Sequence, residues 1–150
     1  MKGLCVAIFA AIGLTSAVPE TAPHPVTPSE QYDFACEYLD AFYDVQCGDL
    51  ESPFVIISRV VDSRYYGFYF PGENYIYINP NASPVDQAET IIHETTHYIL
   101  HFKGDARFNR CLSEEVARRV HHLWGDTEYD DEWRGLYNCP KGYNWRLNGN

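Results

Sequence analysis

No Cys-x-x-Cys pair occurs anywhere in the 150 residues, which argues against a thiolate zinc knot. After the first 17 residues the chain has no apolar run near the roughly 20 residues a helix needs to cross a bilayer, so nothing further along is expected to span one. Basic residues are scarce: 11 Lys and Arg stand against 21 Asp and Glu, a formal net charge of −10. That balance disfavours nucleic acid and anionic membrane surfaces as partners, and is read first as a device for solubility. There is no internal repeat, so a solenoid or array is not expected.

The chain does have a leader. Met1-Lys2 precedes an apolar run from Gly3 to Leu14, and Thr15-Ser16-Ala17 supplies small residues where a signal peptidase cuts. Residues 1–17 are therefore read as a signal peptide, 18–28 as a proline-rich leader and 29–150 as a single domain. Losing Lys2 and no acid takes the net charge to −11. The product is expected to be secreted or extracytoplasmic (periplasmic in a Gram-negative host), a monomer, and not inserted in a membrane once the signal is cut. Cys5 leaves with the signal, and Cys36, Cys47, Cys111 and Cys139 remain, an even number that predicts two disulfides in an oxidising compartment. If the first helix runs unbroken to Cys47, Cys36 and Cys47 lie roughly 16 Å apart on its axis, too far to bridge. Each is then expected to pair with Cys111 or Cys139.

Local signals predict an α+β fold. Thr27-Pro28-Ser29-Glu30 is a capping box that starts a helix, along which Tyr32, Ala35, Cys36, Leu39, Phe42 and Tyr43 recur at helical spacing, with Gly48 as a stop. From Phe54 the pattern turns to β-branched and aromatic residues in three runs, 54–61, 65–70 and 75–79, read as a short antiparallel meander whose aromatics serve the sheet. Ser83-Pro84-Val85-Asp86 then opens a helix of about five turns that Gly104 closes. Ser113 is read as the cap of a further helix that ends at Gly125, and short turns held by Cys139 are expected beyond it.

The helix that begins after Ser83 carries His93-Glu94-Thr95-Thr96-His97, a HExxH motif. Histidines four residues apart share one helix face and can grip one metal ion, and Glu94 beside the first can take a proton from water. Two imidazoles need a third protein ligand. The metzincin arrangement is rejected, because Leu100 and Lys103 occupy the places of its glycine and its third ligand. His101 lies two turns from His93 on the same helix and is read as buried or supporting. A glutamate from the following helix remains, the gluzincin arrangement. Glu114 shares its side with Ala117 and His121 beside the apolar face, whereas Glu115 shares its side with Arg118, Arg119 and His122 and is read as a solvated charge. Glu114 is therefore the expected ligand beside His93 and His97.

Three segments together resemble a known family: Tyr75-Ile76-Tyr77-Ile78-Asn79, then Thr90 through His101, then Glu114-Glu115-Val116-Ala117. A strand ending in Asn, a HExxH helix with a further histidine four residues on, and a helix with ExxA are similar to the minimal zinc peptidases of the ImmA/IrrE type. The resemblance covers roughly residues 65–124 and implies a compact zincin-like fold. It implies one zinc ion held by His93, His97 and Glu114, with Glu94 as general base and His101 structural. Thr96 stands where that family usually has glycine, and Arg118 where it has asparagine.

The expected chemistry is hydrolysis of a peptide or protein substrate laid along an edge strand, taken to be 75–79. Tyr137, Tyr143, His121 and His122 are open candidates for stabilising the oxyanion. Two other readings share the site: a non-catalytic binding module, and a zinc amidase acting on cell-wall peptides.

Overall fold

In a computed structural model of the chain, the described residues are 27–125, 127 and 132–140. The signal peptide, nearly all of the leader and Tyr143 lie outside them. Helix α1 (Pro28–Tyr43) is followed by strands β1 (Phe54–Ile57), β2 (Gly67–Tyr69) and β3 (Tyr75–Ile78). Helices α2 (Pro84–Lys103), α3 (Arg110–Gly125) and α4 (Trp133–Tyr137) complete the expected α+β fold. No helix among the described residues is long and apolar enough to cross a membrane.

The helix starts follow the sequence signals. At α1, Thr27 Oγ1 accepts from the Glu30 amide while the Glu30 carboxylate accepts from the Thr27 amide, a complete capping box. At α2, Ser83 Oγ accepts from the Asp86 amide and donates to its carboxylate. Gly104 closes α2 for want of space, not for a left-handed turn: its φ is −71°, and a Cβ there would sit 2.3 Å from the Leu100 carbonyl oxygen. Helix α3 starts three residues before the expected Ser113, because the Asn109 side chain accepts from the amides of Cys111 and Leu112.

Leu39 of α1, Ile92 and Ile99 of α2, and Val116 and Val120 of α3 form a closed core from which water is excluded. Each such side chain contributes about 1.5–3 kcal/mol by leaving water. The core fixes α2 and α3 side by side, and Ala117 of α3 is fully buried.

The sheet corrects the expected meander. Its order is β1-β3-β2, with β3 parallel to β1 and antiparallel to β2. Ile76 and Ile78 are fully buried, and β3 gains partners on both edges by taking the centre. β3 is therefore not the edge beside α2; β2 is.

The disulfides also differ from the expectation: Cys36 pairs with Cys47 and Cys111 with Cys139. Helix α1 does not reach Cys47. It stops at Tyr43, Asp44 takes the left-handed conformation at φ 55°, and the chain doubles back until Cys36 and Cys47 have Cα atoms 5.8 Å apart.

Candidate metal centre

Helix α2 presents His93 and His97 on one face, and α3 brings Glu114 against them. His93 Nε2 lies 3.2 Å from His97 Nε2, His97 Nε2 lies 3.2 Å from Glu114 Oε2, and His93 Nε2 lies 3.6 Å from Glu114 Oε1. Four ligands arranged tetrahedrally at about 2.0–2.1 Å from an ion stand about 3.3 Å apart, so this triangle has the size a zinc-like ion requires. Among the described residues these three are the group of His, Cys, Asp and Glu side chains able to hold a metal ion.

The supporting contacts aim the ligands. His97 Nδ1 is 2.9 Å from Ser113 Oγ, which fixes the ring so that Nε2 faces the other two side chains. Ser113, expected as a helix cap, thus serves the histidine instead. Glu114, only 6 % exposed, also accepts from Arg118 Nε at 2.8 Å, and the Arg118 guanidinium lies over the Trp133 ring. Arg118, which stands where the similar family carries asparagine, thus makes a polar contact to the glutamate.

Electrostatics follow the geometry. Burial opposes a charge on His97, but the hydrogen bond to Glu114 and the charges of Glu94 and Glu114 outweigh it and raise the His97 pKa. Burial likewise opposes ionisation of Glu114, yet its contacts with His93 and His97 hold its carboxyl far below the usual carboxylate range. A buried carboxylate facing two imidazoles strongly favours positive charge between them.

Glu115 overturns its sequence assignment. It is fully buried, not solvated, and accepts from Arg134 Nη2 and Arg119 Nε, each at 2.6 Å. Arg134 arrives from α4, well beyond α3 in sequence. His101 is exposed rather than buried, packing against the rings of Tyr69 and Phe102.

Two cavities flank the three side chains, and Glu94 lines both. One, of about 320 Å³, contains His93, Glu114, Arg118, His121, Tyr137 and residues 64–67. The other, of about 270 Å³, contains His97, His101, Tyr69, Phe108 and Arg110. Asn79, at the end of β3, shapes the first: its side chain donates to the Tyr65 carbonyl and its amide to the Tyr66 carbonyl, holding that loop over the cleft. Of the proposed oxyanion donors, Tyr137 and His121 line this cavity, while His122 contacts Thr127 Oγ1 at 2.7 Å. Burial and the nearby His93 charge lower the His121 pKa against the pull of Glu89.

Residues 52–121 match a peptidase family model, the IrrE N-terminal-like domain. The stretch contains β1 to β3, α2 and the three converging side chains His93, His97 and Glu114. Neither the curated proteins nor the solved structures show a match to the chain. Resemblance to the ImmA/IrrE-type peptidases is thus found over the part of the fold that builds the site.

Proposed function

Taking residues 52–121 as a domain of peptidase type, we propose that this protein is an exported, zinc-dependent endopeptidase. The observation that carries the reading is the convergence of two imidazole nitrogens and one carboxylate, with Glu94 beside them on the floor of a cleft open to both sides. His93, His97 and Glu114 hold the ion, which when bound supplies Lewis acidity. Glu94 accepts a proton from the attacking water and delivers it to the leaving amine as the C–N bond breaks. A peptide adds as an extended strand along the outer edge of β2, which crosses the cleft from Gly67 in one cavity to Tyr69 in the other. Gly67 lets β2 lie this close to α2 and β3, because a Cβ there would lie 2.8 Å from Thr90 Cγ2 of α2 and 2.5 Å from the Tyr77 carbonyl oxygen.

Export belongs to the same proposal: the segment 1–17 directs it and cleavage follows Ala17. Two disulfides support an oxidising destination. N-terminal sequencing of the exported chain tests this, and a start other than Val18 refutes the cleavage site. For the activity, the zinc-loaded protein and its Glu94→Gln variant are incubated with a proteome-derived peptide library. Cleavage by the first and not the second is expected. Stoichiometric zinc with no cleavage by either would leave a binding module, and release of cell-wall peptides alone would make it an amidase.

A further inference from the structure

The match to the peptidase family ends at residue 121, yet the chain goes on to build a short helix against the site. Helix α4 has five residues and is held by more ties than its size demands. Cys139 joins it to Cys111 of α3. Arg134 donates to the buried Glu115, the Arg118 guanidinium lies over Trp133, and the Arg110 guanidinium sits 4.8 Å from the centre of the Tyr137 ring. The last two ties involve arginines that themselves line the two cavities. What these ties deliver to the cleft is Tyr137, which lines the cavity shared by His93, Glu94 and Glu114.

Resting on the peptidase reading above, we propose that Tyr137 is a catalytic residue whose hydroxyl donates a hydrogen bond to the oxyanion of the tetrahedral intermediate. In that step water oxygen bonds to the scissile carbonyl carbon, the carbonyl π pair moves onto its oxygen, and Glu94 takes the water proton. Tyr137 keeps its own proton throughout and neutralises part of the new charge. Three observations fit this role. The hydroxyl has no hydrogen-bond partner among the described residues, so it is available to a ligand. The Arg110 guanidinium, 4.8 Å from the ring centre, holds the ring in place at the cleft. The competing donor, His121, has its Nε2 engaged by Glu89 at 3.2 Å.

The test compares the zinc-loaded wild-type protein with Tyr137→Phe, which keeps the ring under Arg110 and removes only the oxygen. Loss of one such donor costs about 100- to 1,000-fold in kcat. The expected result is a loss of that size with KM changed less than about threefold, and with zinc content and Tm unchanged. A phosphinic pseudopeptide, tetrahedral at the reacting centre, should weaken in parallel with kcat while a ground-state peptide analogue does not. That binding measurement reads the same contact without turnover. Cleavage by Tyr137→Phe within about threefold of wild type, or unchanged phosphinic affinity, overturns the assignment and passes the role to His121. A wild-type protein that neither cleaves peptides nor binds the phosphinic probe instead overturns the peptidase reading, and this assignment falls with it.

Discussion

Replacing each of two adjacent glutamates should break the protein in two different ways. Glu114→Ala removes a carboxylate from the triangle proposed to hold the metal. Its other partner, Arg118, is one-quarter exposed and can turn to water, so the fold should lose little. Zinc affinity should fall by more than the roughly 10- to 100-fold typical of removing a group that merely supports a ligand. Glu115→Ala leaves the triangle intact but removes the carboxylate that faces the Arg134 guanidinium, whose side chain is 6 % exposed and cannot recover its hydration. Arg119, nearly half exposed, contributes little to the cost. Breaking a buried ion pair on one side costs about 3–5 kcal/mol. At roughly 4–8 °C per kcal/mol for a domain of about 100 residues, Tm should drop by at least about 12 °C. Both variants are assayed by competition with a zinc chelator at one pH and by calorimetry of the metal-free protein. A Glu115→Ala protein that releases zinc with an unchanged Tm, or a Glu114→Ala protein that keeps it, would refute the geometry of α3.

Other expectations can be checked in the same preparations. Glu94→Gln should retain zinc and lose about 100- to 10,000-fold in kcat, the usual worth of a positioned general base; near-normal turnover would move the base elsewhere. Ser113→Ala frees the His97 ring and should weaken zinc by about 10- to 100-fold, measured by the same chelator competition. Removal of zinc should abolish cleavage and lower Tm, by an amount that grows with the logarithm of the free zinc concentration used for the holoprotein. Non-reducing peptide maps should contain Cys36–Cys47 and Cys111–Cys139, and a Cys36–Cys111 or Cys36–Cys139 peptide would contradict the path of the chain after α1.

The parts of this fold written into neighbouring residues were readable. Thr27 with Glu30, and Ser83 with Asp86, announce their helices because a cap and its amide are three residues apart. The HExxH spacing places two imidazoles together by helix geometry alone, and the next helix supplies Glu114. What escaped was decided by residues distant in sequence. Glu115 looked solvated on its own helix because its partner, Arg134, comes from another. The strand order depended on which run would be buried on both sides, and Ile76 and Ile78 settle that only in three dimensions. An unbroken helix would hold Cys36 and Cys47 apart, but Asp44 ends it first. Ser113 carries both a capping signal and a side chain for His97. Asn109 took the first task, which no spacing rule foretold.

The pairing of cysteines leaves α2 outside both covalent rings. One ring closes within 36–47 and the other within 111–139, so His93 and His97 stand on open chain while Glu114 stands inside a ring. An ion shared by these three side chains is thus a cross-link of a kind the sulfur atoms do not provide, joining the open helix to the closed loop. Reductant and chelator should accordingly act on different joints of the molecule. Each alone leaves the other joint fastened, and the costs of the two should add.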